Sequence, residues 1–294
     1  EEQLREYLQD DLRWICAEWQ SYKHPEGKPL FNMERVGIAG NSGPVFADCE
    51  SLDEVEAHEW PNPDYLDFTE IVDRLKNAGD VYRASGMWCC FFHIAADMFG
   101  MENYFVKMYT HPEIVHEVTR RICEFYLEAN RRCFEAAGDE IDALFFGNDL
   151  GTQLDLLVSP EQLEEFIMPW TRKFVEQGHE HGYQVMHHCC GAIHKIIPGF
   201  IEAGVDALHP LQAKAANMDA ETLARDFKGK IAFLGGIDTQ DLLVHGTPEE
   251  VRADVRRVKE ALGPNLVVSP SHEALLPNVP IENVIAMAEE ARRM

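Results

Sequence analysis

No stretch of this 294-residue chain approaches the roughly 18 to 20 unbroken apolar residues that a membrane-spanning helix needs. That excludes a helical membrane protein and predicts a soluble one. Basic side chains are scarce as well: Lys and Arg number 26 against 51 Asp and Glu, a formal charge of −25. Such a surface repels nucleic-acid backbones and anionic bilayers, so neither is expected as a partner. The eight cysteines are scattered, with two adjacent pairs, Cys89-Cys90 and Cys189-Cys190, unlike the spacing of a small disulfide scaffold. A reducing, cytoplasmic compartment follows. No glycine-rich phosphate loop of the dinucleotide type follows any predicted strand, which weighs against a doubly wound nucleotide-binding sheet. Glu1 rather than Met opens the chain. An N-terminal stretch is therefore expected to precede it, and no signal peptide is read.

What is present suits a large core, since 46% of the residues are hydrophobic. Residues 1–70 read as an irregular lead-in broken by Pro25, Gly27 and Pro29 and closed by Trp60-Pro61-Asn62-Pro63. Within it, Leu4 to Trp19 has helical spacing. Residues 71–294 then alternate. Met87 to Phe92 reads as a bulky strand, and a long helix opens at Pro112 with Thr110 as its cap. Ile141 to Phe146 is a strand, and Ser159-Pro160 caps a helix. Tyr183 to His188, Val205 to His209, Ile231 to Leu234 and Leu266 to Val268 are strands. Helices at Ile193 to Ala203, Ala220 to Phe227, Pro248 to Leu262 and Ile281 to Arg293 intervene. Strands this continuously apolar have no wet face, which indicates a parallel sheet covered by helices. The expected fold is α/β, a (β/α)8 TIM barrel forming one domain over residues 1–294. Its first strands would lie in the lead-in or before Glu1.

Polar residues gather where these strands end, the face on which such barrels do chemistry. Alternate residues of an extended chain share a face, so His188 and Cys190 point together while His187 and Cys189 point to the wall. Imidazole plus thiolate at that spacing suits zinc. His272, after Leu266 to Val268, is the expected third metal ligand. Asp149 and Glu273 are the candidate catalytic carboxylates, and Gln212, Asn148 and Trp88 the candidate substrate contacts. Asp238 reads as a turn cap, while His93 and His209 are too isolated to assign.

His187-His188-Cys189-Cys190-Gly191, Leu208-His209-Pro210-Leu211-Gln212, Gly235-Gly236-Ile237-Asp238-Thr239-Gln240 and Pro270-Ser271-His272, with Pro277-Asn278-Val279-Pro280, together resemble the uroporphyrinogen decarboxylase superfamily over residue 80 to the end. The superfamily holds decarboxylases and zinc-dependent, corrinoid-linked methyltransferases on (β/α)8 barrels. His188-x-Cys190 matches the zinc motif of the methyltransferase branch, in which the metal activates a small acceptor. That branch usually carries cysteine where this chain has His272, which leaves a harder, more Lewis-acidic metal. The decarboxylase branch resembles an arginine-rich N-terminal run, whereas Arg5, Arg13 and Arg35 are the only arginines before Arg74 here. The resemblance implies methyl transfer between a corrinoid and a small-molecule acceptor. The corrinoid (methylcobalamin) would arrive on a separate carrier protein, because no Asp-x-His-x-x-Gly motif occurs in this chain. A cofactor-free porphyrinogen-type decarboxylase and an inactive barrel subunit of a methyl-transfer complex are the alternatives. A homodimer is left open.

Overall fold

The computed structural model describes residues 2–33, 35–36, 40–41 and 44–293. Nine strands occur among them: β1 (Leu12–Ala17), β2 (Arg35–Val36), β3 (Gly40–Asn41), β4 (Tyr82–Met87), β5 (Ala143–Gly147), β6 (Gln184–His188), β7 (Ala207–Leu211), β8 (Ala232–Ile237) and β9 (Leu266–Pro270). β2 and β3 form a small antiparallel pair. The other seven run in the order β1-β4-β5-β6-β7-β8-β9. The pairs β4–β5, β6–β7, β7–β8 and β8–β9 are parallel. Helices fill every connection from β4 onward. This is the α/β alternation of a (β/α)8 barrel with seven strands in the large sheet, and β1 comes from the lead-in. No helix among the described residues is long and apolar enough to cross a membrane.

Contacts divide the chain into two units, one of Arg13–Asn148 with Val158–Gln184, the other of Glu1–Leu12, Asp149–Leu157 and Val185–Met294. The first is organised by the helix Pro112–Ala137, whose Ile114, Val115, Val118, Ile122, Phe125, Tyr126, Ala129 and Phe134 form a buried stripe at helical spacing. Its N-cap is His111 rather than Thr110. A polar residue interrupts that stripe for a reason. Asn130 is fully buried, and its Oδ1 accepts the Met87 backbone N–H at 2.7 Å. There Gly86, at φ +119°, leaves no room for a Cβ beside Leu144. Asn130→Ala strands a buried donor and should lower unfolding free energy by about 2 kcal/mol, read from urea denaturation.

The outer face of the same helix carries Glu117 with Arg120 and Arg121, and Glu128 with Arg131 and Arg132, at three- and four-residue spacing. Hydrogen bonds, first from Arg120 and then Arg121, hold Glu117 down to about 2. Arg131 and then Arg132 do the same for Glu128. Because these folded-state values lie below the ordinary one, the stabilisation is complete above about pH 5 and fades as pH falls toward 2. The arginines are well exposed, so the effect is small. The Glu117→Gln, Glu128→Gln double variant should flatten the melting-temperature profile between pH 5 and 2 while shifting it little at pH 7.

In the second unit β6 and β7 pair in register, with His187 opposite Leu208 and His188 opposite His209. Alternation sends His187 and Cys189 to the buried side, where the His187 ring lies 4.5 Å from that of Phe200. Burial holds that imidazole neutral, its pKa lowered to about 3. The helices Ala220–Phe227 and Pro248–Leu262 begin where their caps dictate. Asp219 accepts the Thr222 N–H, and Thr247 and Glu250 form a reciprocal capping box.

Two expected elements differ. Leu4 to Trp19 is not one helix, for the helix stops at Leu8 and β1 follows. Gln9 takes a left-handed φ of 54°, which ends helical hydrogen bonding, and Trp14, Ile15 and Cys16 favour an extended chain. Nor is Met87 to Phe92 a strand. The strand is the less apolar Tyr82–Met87, and Phe91 opens the helix Phe91–Phe99, which is buried nearly all round.

Candidate metal centre

Where β6 ends, His188 and Cys190 do share a side: His188 Nε2 lies 3.5 Å from Cys190 Sγ. Asp149 joins them, its Oδ1 accepting the Cys190 N–H at 3.0 Å and standing 3.1 Å from His188 Nε2. Side-chain donor atoms of Asp149, His188 and Cys190 all fall within 4.8 Å of one another, and so do those of Cys190, His272 and Glu273. Cys190 belongs to both groups.

Two glycines make this convergence possible. Gly191, at φ +93°, packs so tightly on Gly151 that a Cβ there would come within 2.3 Å of the Gly151 carbonyl. The Ala192 N–H then bonds the Thr152 carbonyl at 2.7 Å, clamping the Asp149 loop to the Cys190 loop. Only backbone without side chains fits at such a crossing.

The donors of this cluster are charged and crowded. Burial, then the Asp149 and Glu273 carboxylates, push the Cys190 thiol well above its ordinary range. A thiolate beside two carboxylates is unfavourable alone and becomes favourable around a divalent ion. Nitrogen, sulfur and oxygen donors of this kind fit zinc. His272 is the outermost member. Its Nδ1 accepts the Ala274 N–H at 3.1 Å and lies 3.5 Å from Glu273 Oε2. A ring held that way carries its proton on Nε2, so ligation through Nε2 requires that proton to move.

His209, unassigned from the sequence, belongs to the cluster. Its Nδ1 is 3.0 Å from His188 Nδ1. Burial, and then His188 and His272, lower its pKa to about 3 and keep it neutral. With a metal on Nε2, the His188 proton would sit on Nδ1 and donate to the neutral His209 ring, the usual support for a metal-bound imidazole. Its signal in the sequence is its place one strand over, at the same level as His188.

Gln212 is buried, and its Oε1 accepts both the Gly191 N–H at 3.1 Å and the Gln153 side-chain amide at 2.9 Å. Asp238 caps its turn, accepting the N–H groups of Gln240, Asp241 and Leu242. The remaining two expected substrate contacts lie in the other unit. Asn148 is buried, and its Oδ1 accepts the Phe92 N–H at 2.9 Å. That bond serves the first turn of the helix Phe91–Phe99. Trp88 packs against Trp14 and Phe145 with ring centroids 5.0 and 5.5 Å away. It also lines a cavity of about 110 Å³ with Trp19, Phe31 and Tyr126.

The fold is α/β of the (β/α)8 kind, and donor atoms that could hold a metal ion collect after its strands. The chain belongs to the uroporphyrinogen decarboxylase family, whose model matches residues 33–294. A solved methyltransferase from Methanosarcina mazei is similar over 86% of this chain and 71% of its own, with a TM-score of 0.67 and 17% sequence identity. At that identity the likeness is one of fold. No curated protein matches.

Proposed function

We propose that this family member is a zinc-dependent methyltransferase that moves a methyl group between a corrinoid held by a separate carrier protein and a small acceptor. The observation that carries the reading is the gathering of Asp149, His188 and Cys190 in one group of donor atoms within 4.8 Å of one another, with Cys190, His272 and Glu273 forming a second such group. His188 and Cys190 would hold the metal, with His272 as third ligand and Asp149 close enough to replace or join it. Zinc supplies Lewis acidity, lowering the pKa of an acceptor bound to it. His209 would accept the Nδ1 proton of a metal-bound His188, and the Asp149 carboxylate fixes the Cys190 backbone at 3.0 Å. Glu273 stands beside His272 as a proton acceptor, and Gln212 positions the substrate. The fold shared with the Methanosarcina mazei methyltransferase is compatible with this branch, and the scattered cysteines, unlike a disulfide scaffold, support a cytoplasmic setting.

The test is methyl transfer from methylcobalamin to a panel of small acceptors by protein of known zinc content. Turnover that depends on zinc supports the reading. Decarboxylation of a porphyrinogen by metal-free protein would replace it with the cofactor-free alternative, and absence of any turnover by zinc-loaded protein would leave the inactive subunit.

A further inference from the structure

β1 and β4 are neighbours in the large sheet, and an aromatic cavity opens where the two strands end. The Trp88 N–H donates to the Ala17 carbonyl at 2.7 Å, so Glu18 and Trp19, which follow β1, start beside Trp88, which follows β4. With Phe31 and Tyr126 they line about 110 Å³. The whole lining belongs to the unit that holds Arg13–Asn148, and none of the metal donors is part of it. Glu18 is the one charged residue in that lining among the described residues. Trp19 is 52% exposed, and the other four tryptophans are not exposed. Phe31 keeps a left-handed φ of 58°. A bulky residue holds that conformation only where its surroundings impose it, and such positions gather at ligand sites.

We propose that this cavity binds the head of a small quaternary ammonium ion, with Trp19, Trp88, Phe31 and Tyr126 as the aromatic cage and Glu18 as the counter-charge. Size sets the first limit. An apolar cavity of about 150 Å³ holds one benzene, so this one takes a group of about five heavy atoms, which is a trimethylammonium head. Charge sets the second. Aromatic faces are negative and tryptophan is the strongest of them for a cation, while the −25 formal charge draws cations to the surface. A primary ammonium is strongly hydrated and needs acceptors for three N–H groups. A methylated nitrogen donates nothing, sheds water cheaply and packs its methyl groups on the rings and on Leu30 and Met33. This site stands apart from the metal reading.

Three matched probes test it by calorimetric titration of the full chain: choline, 3,3-dimethyl-1-butanol, in which carbon replaces the charged nitrogen, and ethanolamine, which lacks the methyl groups. Choline should bind about tenfold more tightly than either analogue. Trp19→Ala changes an exposed side chain and should leave the melting temperature in place while weakening choline about tenfold, with Trp19→Phe retaining most of the affinity. Glu18→Gln should cost about threefold at low salt and nothing at high salt. Removing zinc should change none of these values, because no metal donor lines the cavity. Equal or tighter binding of the alcohol would make this an ordinary apolar cavity and overturn the proposal. So would equal binding of ethanolamine, an unchanged affinity in Trp19→Ala, or no saturable binding of choline at all.

Discussion

Gly191→Ala is expected to destabilise the protein by about 3 to 5 kcal/mol, at the far end of what single substitutions do. Two costs combine. The backbone at φ +93° is one that residues with a Cβ adopt only under strain, about 1 to 3 kcal/mol. The added carbon would also sit 2.3 Å from the carbonyl carbon and oxygen of Gly151, backbone atoms that no rotamer change can move. Relief means parting the two loops, which breaks the bonds from Ala192 N to Thr152, Gly191 N to Gln212 and Cys190 N to Asp149. Gly229→Ala separates the two costs, because Gly229 has φ +79° with nothing within 4 Å of its would-be Cβ. It should lose about 1 kcal/mol. Denaturant midpoints for the two variants decide the matter, and equal losses would mean that the crossing is not tight.

The second large effect concerns chemistry. Cys190→Ala removes the donor common to both ligand groups, and zinc affinity should fall by about a thousandfold, with methyl transfer lost alongside it. His209→Leu should act more mildly, about 10- to 100-fold on metal affinity, since it removes support for His188 and not a ligand. A pH profile of zinc binding distinguishes the two roles. Loss of the His209 ring, which faces His188 Nδ1 at 3.0 Å, should change the pH dependence, which a merely structural loss would not.

Much of this architecture could be read along the chain where local chemistry decides it. Asp219, Thr247 and Pro248 are local start signals, and the helices they open begin at the expected residues. His188 and Cys190 were pairable because strand alternation is a local rule. Asp149 was visible as a residue after a strand, but its contact with Cys190 depends on the crossing of Gly151 and Gly191, residues 40 positions apart, which no local pattern displays. His209 was hidden for a similar reason, since its meaning comes from the β6–β7 register. β4 escaped because Tyr-Arg-Ala-Ser-Gly-Met has little apolar signature; its burial is supplied by neighbours such as Asn130 and Leu144. The aromatic run after it looked like a strand because period alone does not distinguish a fully buried helix from one.

The most direct measurement is zinc content by elemental analysis of the parent protein and Cys190→Ala, both purified without added metal and shown to be equally folded. About one zinc per chain in the parent and close to none in the variant is the predicted result. A parent protein free of zinc that also fails to take it up on titration, or a variant that keeps the parent's stoichiometry, would contradict the account.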